Sequence, residues 1–218
     1  MIISRRVANY FSAALILIVL ISGSITNVSA FTTGSYGSGG YGTCAHGQAC
    51  TISVSSDGVL SISLTPSTTG TCSTNYDTVS VLTDDSNGYT LSISNNSATT
   101  NALVNGSHTI GSTSGTASSP IVLGANQWGY RVDTSTSGNY ATAGSFGSGP
   151  TTQLINANYP IGPTFAQTQL SGSYSTIATD SGASDPATTT KVWFGTCANT
   201  TVASGTYATT IVYTAIAN

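Results

Sequence analysis

The sequence predicts an all-β protein, an antiparallel β-sandwich of about nine or ten strands preceded by a signal peptide. Thr, Val, Ile and Tyr are abundant, Glu is absent, and Lys and Arg are scarce, a composition that favours strands over helices. Short stretches alternate between apolar and polar residues and are separated by turn residues, which is the pattern of half-buried strands. Strands of this length at this spacing are typical of a sandwich or a barrel.

The N-terminus has the three regions of a secretory signal peptide. Arg5 and Arg6 precede an apolar run from Ala13 to Ile21, and Val28-Ser29-Ala30 forms a small-residue cleavage site. The apolar run is shorter than the roughly 20 residues that cross a bilayer. We therefore expect a secreted chain, extracellular or associated with the cell surface, that begins at Phe31. An uncleaved membrane anchor is the alternative.

Composition divides the chain into three segments. Residues 1–30 are the predicted signal peptide, and residues 31–48 are a Gly/Ser/Tyr-rich arm with almost nothing to bury, which indicates flexibility. Residues 49–218 are long enough for a single β-sandwich domain with a sizeable core.

The exported part of the chain is almost free of charge. Charged residues are 5 % of the whole sequence, against about 25 % in ordinary soluble domains. After cleavage the basic residues are Arg131 and Lys191, beside seven aspartates, so the net charge is −5. Nucleic acid and membrane surfaces are therefore not expected partners, because both need clustered basic residues. A neutral surface rich in Ser, Thr, Asn and Gly suits proteins that pack side by side or contact neutral polymers.

The first strands are predicted on either side of a turn signal. Thr51–Val54 and Val59–Leu64 both alternate, and Asp57-Gly58 between them is typical of a hairpin turn. The following segment, Thr65–Thr74, contains a proline and lacks alternation, so it is interpreted as a loop that carries Cys72.

A second hairpin is predicted from Thr78–Thr83 and Tyr89–Ile93. The connection contains Asp84, Asp85 and an Asn87-Gly88 step, in which glycine supplies the positive φ that such turns require. Asp84, Asp85 and Asn87 are also weak candidate calcium ligands, because all three offer oxygen atoms within four residues. The alternative is that turns select Asp and Asn for local backbone bonding alone.

The later strands end in a segment predicted to be central in its sheet. Both faces of Gly205–Ile216 are acceptable to a core. The long Gly/Ser/Thr stretch Thr134–Thr152 is interpreted as a binding loop or disorder. The other predicted strands lie around Leu103 and Ile110 and at residues 120–123, 127–133, 153–155, 165, 173–178 and 188–197.

Two aromatic residues are candidates for ligand binding. Trp128 and Tyr130 share one face of an alternating strand and precede the long loop, so they could form a flat platform for sugar rings. The alternative is that Trp128 fills the core, as large aromatic residues of sandwiches do. Trp193 is assigned to the core because Val192 and Phe194 flank it.

Four cysteines lie in the exported part of the chain, where disulfides form. Of the three possible connectivities, Cys44–Cys50 and Cys72–Cys197 are favoured, because the first closes a short loop and the second joins distant segments. A zinc site is the alternative, although the spacings do not pair as two C-x₂₋₄-C units.

Two segments carry a resemblance to a known family. Val81–Asn95 leads from a strand through an Asp-rich turn into Gly-Tyr-Thr-Leu, and Gly205–Ala215 contains a tyrosine followed by Ile-Val-Tyr-Thr-Ala. These segments resemble the two motifs of WxL-type cell-wall-associated surface domains of Gram-positive bacteria, with Tyr89 and Tyr213 at the signature Trp positions. The resemblance implies an exported, β-rich protein that associates non-covalently with the cell wall, and it adds Tyr89 to the candidate binding residues.

No arrangement in the sequence indicates catalysis. The two histidines, His46 and His108, lie in a small Cys loop and a polar turn, and no Gly-x-Ser-x-Gly elbow is present. We therefore expect no enzyme and no cofactor, but an exported cell-surface protein that acts in wall association or adhesion. Its expected partners are a cell-wall polymer or surface glycan and other copies of itself. The alternatives are a self-assembling pilus or surface-layer subunit, whose arm Phe31–Thr43 pairs with a neighbour's sheet edge, and a secreted carbohydrate-binding module.

Overall fold

The computed structural model describes the backbone of residues 17–25 together with residues 50–132, 145–147 and 152–218. Within these residues the regular structure is all-β, with no α-helix and therefore no helix that could span a membrane, and the predicted fold class is confirmed. The arm 31–48 and most of the long loop 134–152 lie outside the described residues. The strands are β1 Leu17–Ile25, β2 Ile52–Ser56, β3 Val59–Leu64, β4 Thr71–Thr83, β5 Tyr89–Asn95, β6 Leu103–Asn105, β7 His108–Ser112, β8 Ile121–Val122, β9 Gln127–Val132, β10 Ala157–Asn158, β11 Thr164–Phe165, β12 Ser175–Asp180, β13 Ser184–Ala198 and β14 Thr206–Ala217.

Twelve of the described strands form one hydrogen-bonded network, which runs in the order β10-β4-β13-β9-β7-β6-β14-β1-β3. Strand β2 adds to β4, and β5 joins β14 to β12. The network folds over itself at β7, which pairs with β6 on one side and with β9 on the other. Strands β3, β1, β14, β5, β12 and β6 form what we call layer A, and β2, β4, β13, β9 and β10 form layer B.

The two layers bury their facing sides in one shared core. Alternation places Leu60, Ile62 and Leu64 of layer A inward, and Tyr130 and Val132 of layer B meet them in the same apolar cluster. Burying each such side chain contributes roughly 1.5–3 kcal/mol relative to exposure. The shared core is what makes the assembly a sandwich.

A second, smaller core covers the outer side of layer B. Phe165 and Ile161 pack there against Leu123 and the Cys72–Cys197 disulfide. Gly195 of β13 lies beneath the Phe165 ring, and a Cβ at this position would overlap the ring. Glycine is therefore required for the segment 152–166 to pack closely on the sheet.

Both predicted hairpins are wrong, because each turn leads from one layer to the other. Strand β2 pairs with β4 and β3 pairs with β1, so the Asp57 turn connects layer B to layer A. Likewise β4 pairs within layer B while β5 pairs with β14 and β12 in layer A. Gly88 has positive φ, as predicted, and so does Gly58, but a tight turn also serves a connection between layers.

Three further predictions are corrected. Cys72 lies in β4 rather than in a loop, because its segment pairs with β13 from Thr71 onward. Residues 153–155 form no strand, since Leu154 bonds both its N–H and its C=O to the single residue Thr74 instead of joining a ladder. The sheet is mixed rather than antiparallel throughout, because β1 runs parallel to β14 and β7 runs parallel to β9.

Residues 17–21 of the predicted apolar run lie in layer A together with residues 22–25. Their strand, β1, runs between β14 and β3, parallel to the first and antiparallel to the second. Residues 18–25 pair with 206–213, and residues 17–22 pair with 64–59. Strand β3 therefore joins the layer through β1.

Candidate functional site

The three predicted binding aromatics are core residues, so the platform expected from Trp128 and Tyr130 is not formed. Trp128 and Tyr130 are fully buried and Tyr89 is 1 % exposed. The Trp128 indole Nε1–H donates to the Asn101 carbonyl at 2.9 Å. The ring centroid of Tyr130 lies 5.9 Å from that of Phe146, and burial raises the pKa of Tyr130 to about 12. These side chains have no free face for a ligand, in agreement with the core alternative.

The carboxylates of the candidate calcium residues Asp84 and Asp85 accept backbone N–H groups. Asp84 Oδ1 accepts the N–H of Thr51 at 2.7 Å, and Asp85 Oδ1 accepts the N–H of Asn87 at 2.9 Å. No group of three or more His, Cys, Asp or Glu side chains within the described residues is arranged to hold a metal ion. The local bond of Asp85 agrees with the alternative that turns select Asp for backbone bonding, whereas Asp84 bonds to Thr51, 33 positions away, and ties the turn to the segment before β2.

The disulfide predicted between Cys72 and Cys197 is confirmed. The two cysteines are directly paired residues of β4 and β13, both fully buried, and 125 positions apart in the chain. Cys50 is also disulfide-bonded, and its predicted partner Cys44 lies outside the described residues. The bridge therefore fastens the two longest strands of layer B beneath the outer core.

The two motif-like segments meet in layer A. Tyr89 opens β5 and Tyr213 lies in β14, two strands that pair along residues 89–95 and 211–217. Both tyrosines are 1 % exposed. Tyr213 lies next to Asp77 of the opposite layer, and burial together with the negative charge of Asp77 raises the pKa of Tyr213 well above its usual value. Each tyrosine therefore packs in the core.

The outer side of layer A carries rows of hydroxyl groups without charge. Ser92 of β5 lies between Thr176 of β12 and Thr214 of β14, and in the neighbouring row Thr90 lies between Thr179 of β12 and the exposed Ile216 of β14. We call the five half-exposed Ser and Thr residues of these rows the hydroxyl face. Hydroxyl groups both donate and accept hydrogen bonds, so this face can bond to neutral polar polymers such as glycans.

A shallow groove of about 260 Å³ lies in the same layer, lined by residues of the segment 95–104 and by residues 208–210 of β14. Its polar lining comes from the amides of Asn95 and Asn96 and from hydroxyl groups, among them those of Ser97 and Thr209. Asn95 Nδ2 donates to Thr209 Oγ1 at 2.7 Å, which holds part of the lining in place. The groove and the hydroxyl face are both neutral, and both offer groups for hydrogen bonding.

The outer side of layer B offers a different surface. The Lys191 ammonium lies 4.4 Å from the Tyr76 ring centroid, and the Tyr76 ring packs on Trp193 at 4.8 Å. The segment 152–166 covers the rest with the second core. Layer A therefore has the more open and more uniformly neutral outer side.

The other site lies between β3 and β14, where β1 is seated. We call the space between these strands the strand slot. Its walls include the buried residues Leu60, Ile62 and Leu64 on one side and Tyr207 and Ile211 on the other. Alternation in the sequence predicts both strands and the inward face of β3, whereas both faces of β14 are acceptable to a core. Nothing local predicts the slot, because its existence depends on which strands become neighbours.

His108, one of the two histidines considered for catalysis, is exposed at the start of β7, and His46 lies outside the described residues.

Comparison of the chain with models of protein families, with curated proteins and with solved structures finds no match. Any function of the hydroxyl face, the groove or the strand slot therefore has to be inferred from the residues that form it.

Proposed function

We propose that the processed chain is an exported, non-enzymatic protein of the cell surface that associates with a cell-wall polymer or surface glycan. The observation that carries this proposal is the uncharged hydroxyl face of layer A. Binding there depends on hydrogen bonds rather than ion pairs, so it is expected to be insensitive to salt.

The chemistry of glycans supports this choice of partner. Sugar hydroxyls need both donors and acceptors, and hydroxyl groups such as those of Ser92 and Thr214 can supply both from one sheet, whereas the Thr90 hydroxyl donates to Asn218 Oδ1 at 2.8 Å and is left as an acceptor. A β-sheet holds these groups at fixed spacing, which limits the entropy lost on binding. The buried Cys72–Cys197 bridge supports export, because disulfides persist in oxidising compartments.

Sedimentation of the chain starting at Phe31 with purified walls of the producing cells tests the proposal. A triple variant, Ser92→Ala, Thr176→Val and Thr214→Val, removes one complete hydroxyl row and nearly keeps the side-chain volumes. We expect wild-type protein to sediment with the walls at low and high salt, and the variant to remain in the supernatant.

Layer B offers a matched control row. Ser80 of β4 lies between Ser55 of β2 and Thr189 of β13, and the row faces outward. The variant Ser55→Ala, Ser80→Ala and Thr189→Val is expected to sediment like wild type. Equal loss in both variants, or wild-type protein that stays entirely in the supernatant, contradicts the proposal.

Self-assembly is the second candidate function, and the strand slot is the observation that favours it. A sheet that takes a strand from a separate segment is suited to take one from another molecule. The same lack of charge that suits neutral polymers also permits close packing between copies.

A further inference from the structure

The strand slot is filled by a segment that the exported protein is predicted to lose. Strand β1 lies wholly within residues 1–30, upstream of the expected cleavage site after Ala30. Its removal takes away the strand that joins β3 to β14. The backbone groups of β14 from Thr206 to Tyr213 and those of β3 from Val59 to Leu64 then lose their partners on this side.

An empty slot is unfavourable for two physical reasons. Unpaired backbone N–H and C=O groups in a partly buried position cost free energy comparable to lost hydrogen bonds. In addition, Leu60, Ile62 and Tyr207, which are at most 8 % exposed, would gain access to water. An extended segment that forms backbone hydrogen bonds with both β3 and β14 and covers the core is therefore expected to bind in the slot.

We infer that residues 31–43 of a second processed copy enter the strand slot as a strand between β3 and β14. This segment is the new N-terminus after cleavage and contains Phe31, Tyr36 and Tyr41 but no charged residue. Its thirteen residues exceed the nine of β1. The slot walls Val59–Leu64 and Thr206–Tyr213 are likewise uncharged, so no ion must be desolvated. The inference rests on processing of the exported chain, part of the proposed function, and is independent of wall binding.

This assignment gives the leader segment a second role. While residues 17–25 occupy the slot, a second copy cannot enter it, so the unprocessed chain is expected not to polymerise through this slot. Cleavage opens the slot and at the same time frees the segment that fills the slot of the next copy. Each copy then donates one strand and accepts one strand, which generates a head-to-tail polymer.

Light scattering on purified protein at rising concentration tests the inference. The chain starting at Phe31 is expected to form polymers, and the same chain without residues 31–43 is expected to lose them. A third chain that retains residues 17–30 ahead of Phe31 is expected to remain monomeric. Stable monomers of the Phe31 chain at all concentrations, or polymers that persist without residues 31–43, overturn the inference.

Peptide binding separates slot occupancy from any general effect of the deletion. A synthetic peptide of residues 31–43 is expected to bind the deleted chain and to raise its melting temperature. A peptide of the same composition in scrambled order serves as the control and is expected to shift the temperature less. Equal shifts from both peptides overturn the inference, because the slot would then lack a defined register.

Cross-linking establishes that the donated strand comes from another molecule. The described cysteines are all in disulfides, so a bismaleimide reacts only with introduced thiols. One copy carries Ser61→Cys on the exposed side of β3, and the other carries Ser35→Cys in the arm. A covalent dimer formed only from the mixture supports the inference. A cross-link formed only within chains that carry both substitutions overturns it. Sedimentation of the Phe31 chain without walls distinguishes polymers from wall-bound protein, so either proposal can fail alone.

Discussion

The carboxylates of Asp57 and Asp77 each accept a backbone N–H from the other's segment and so hold the turn after β2. The N–H of Asp57 donates to Asp77 Oδ1 at 3.0 Å, and the N–H of Thr78 donates to Asp57 Oδ2 at 3.1 Å. Asp77 is 3 % exposed in the middle of β4. Its burial is the main cause that raises its pKa above the ordinary value, and the nearby charge of Asp57 adds to the effect against the opposing hydrogen bonds. The turn is thereby fixed to layer B as the chain crosses to layer A.

Burial of Asp77 predicts a stability that increases as the pH falls. Because its folded pKa lies above 3.8, its ordinary value, the folded state is penalised for ionising this carboxyl. The penalty is complete above the folded pKa and disappears below the unfolded pKa. The variant Asp77→Asn cannot ionise but still accepts the N–H of Asp57. We expect the free energy of unfolding of wild type, relative to the variant, to increase as the pH falls from 7 towards 4.

Urea unfolding of both proteins across this pH range measures the difference directly. Taking the difference at each pH removes the contribution of the titrating groups that the two proteins share. A difference that stays constant from pH 7 to pH 4 contradicts the prediction. Far-ultraviolet circular dichroism of Asp77→Asn at neutral pH verifies that the variant retains the β-sheet.

The Cys72–Cys197 bridge predicts a large loss of stability when it is removed. It closes a loop across 125 positions, for which the chain-entropy model gives about 3–5 kcal/mol. The double variant Cys72→Ala and Cys197→Ala leaves no buried free thiol and is expected to lose this amount in urea unfolding. An unchanged midpoint would mean that the outer core alone holds β4 and β13 together.

Gly88 and Gly58 form a matched pair for testing the turns. Both have positive φ, but a Cβ at Gly88 would overlap the carbonyl oxygen of Asp180, whereas a Cβ at Gly58 would meet no atom within 4 Å. Gly58→Ala is therefore expected to cost only the backbone strain of about 1–2 kcal/mol. Gly88→Ala adds the clash and is expected to cost clearly more in thermal unfolding. Equal losses contradict the predicted clash.

The strands could be predicted from the sequence, but their partners could not. Alternation is a local signal, so Val59–Leu64 and Gln127–Val132 are found with their inward faces. Pairing is a non-local property. The Asp57-Gly58 step indicates a reversal of direction, but the choice between the same layer and the opposite layer depends on contacts such as that with Asp77, twenty positions away.

The candidate sites were harder to predict for a related reason. Alternation places Trp128 on one face of β9 but does not tell whether that face is covered, and the opposite layer covers it completely. Cys72 lies in a stretch of small polar residues that resembles a loop. It is a strand because β13 pairs with it and the second core packs over it. The hydroxyl face requires β12, β5 and β14 to be neighbours in register, which no single segment encodes.

Trp128→Phe separates a structural role of this residue from a role in binding. The substitution keeps an aromatic ring in the core but removes the indole N–H, which leaves the Asn101 carbonyl without this donor. Loss of a buried hydrogen bond of this kind is expected to lower the free energy of unfolding by about 1–3 kcal/mol. Because Trp128 is fully buried, sedimentation with cell walls at a temperature where the variant is folded is expected to match wild type. Loss of wall binding with unchanged stability would contradict the core assignment and would indicate that Trp128 contacts the ligand.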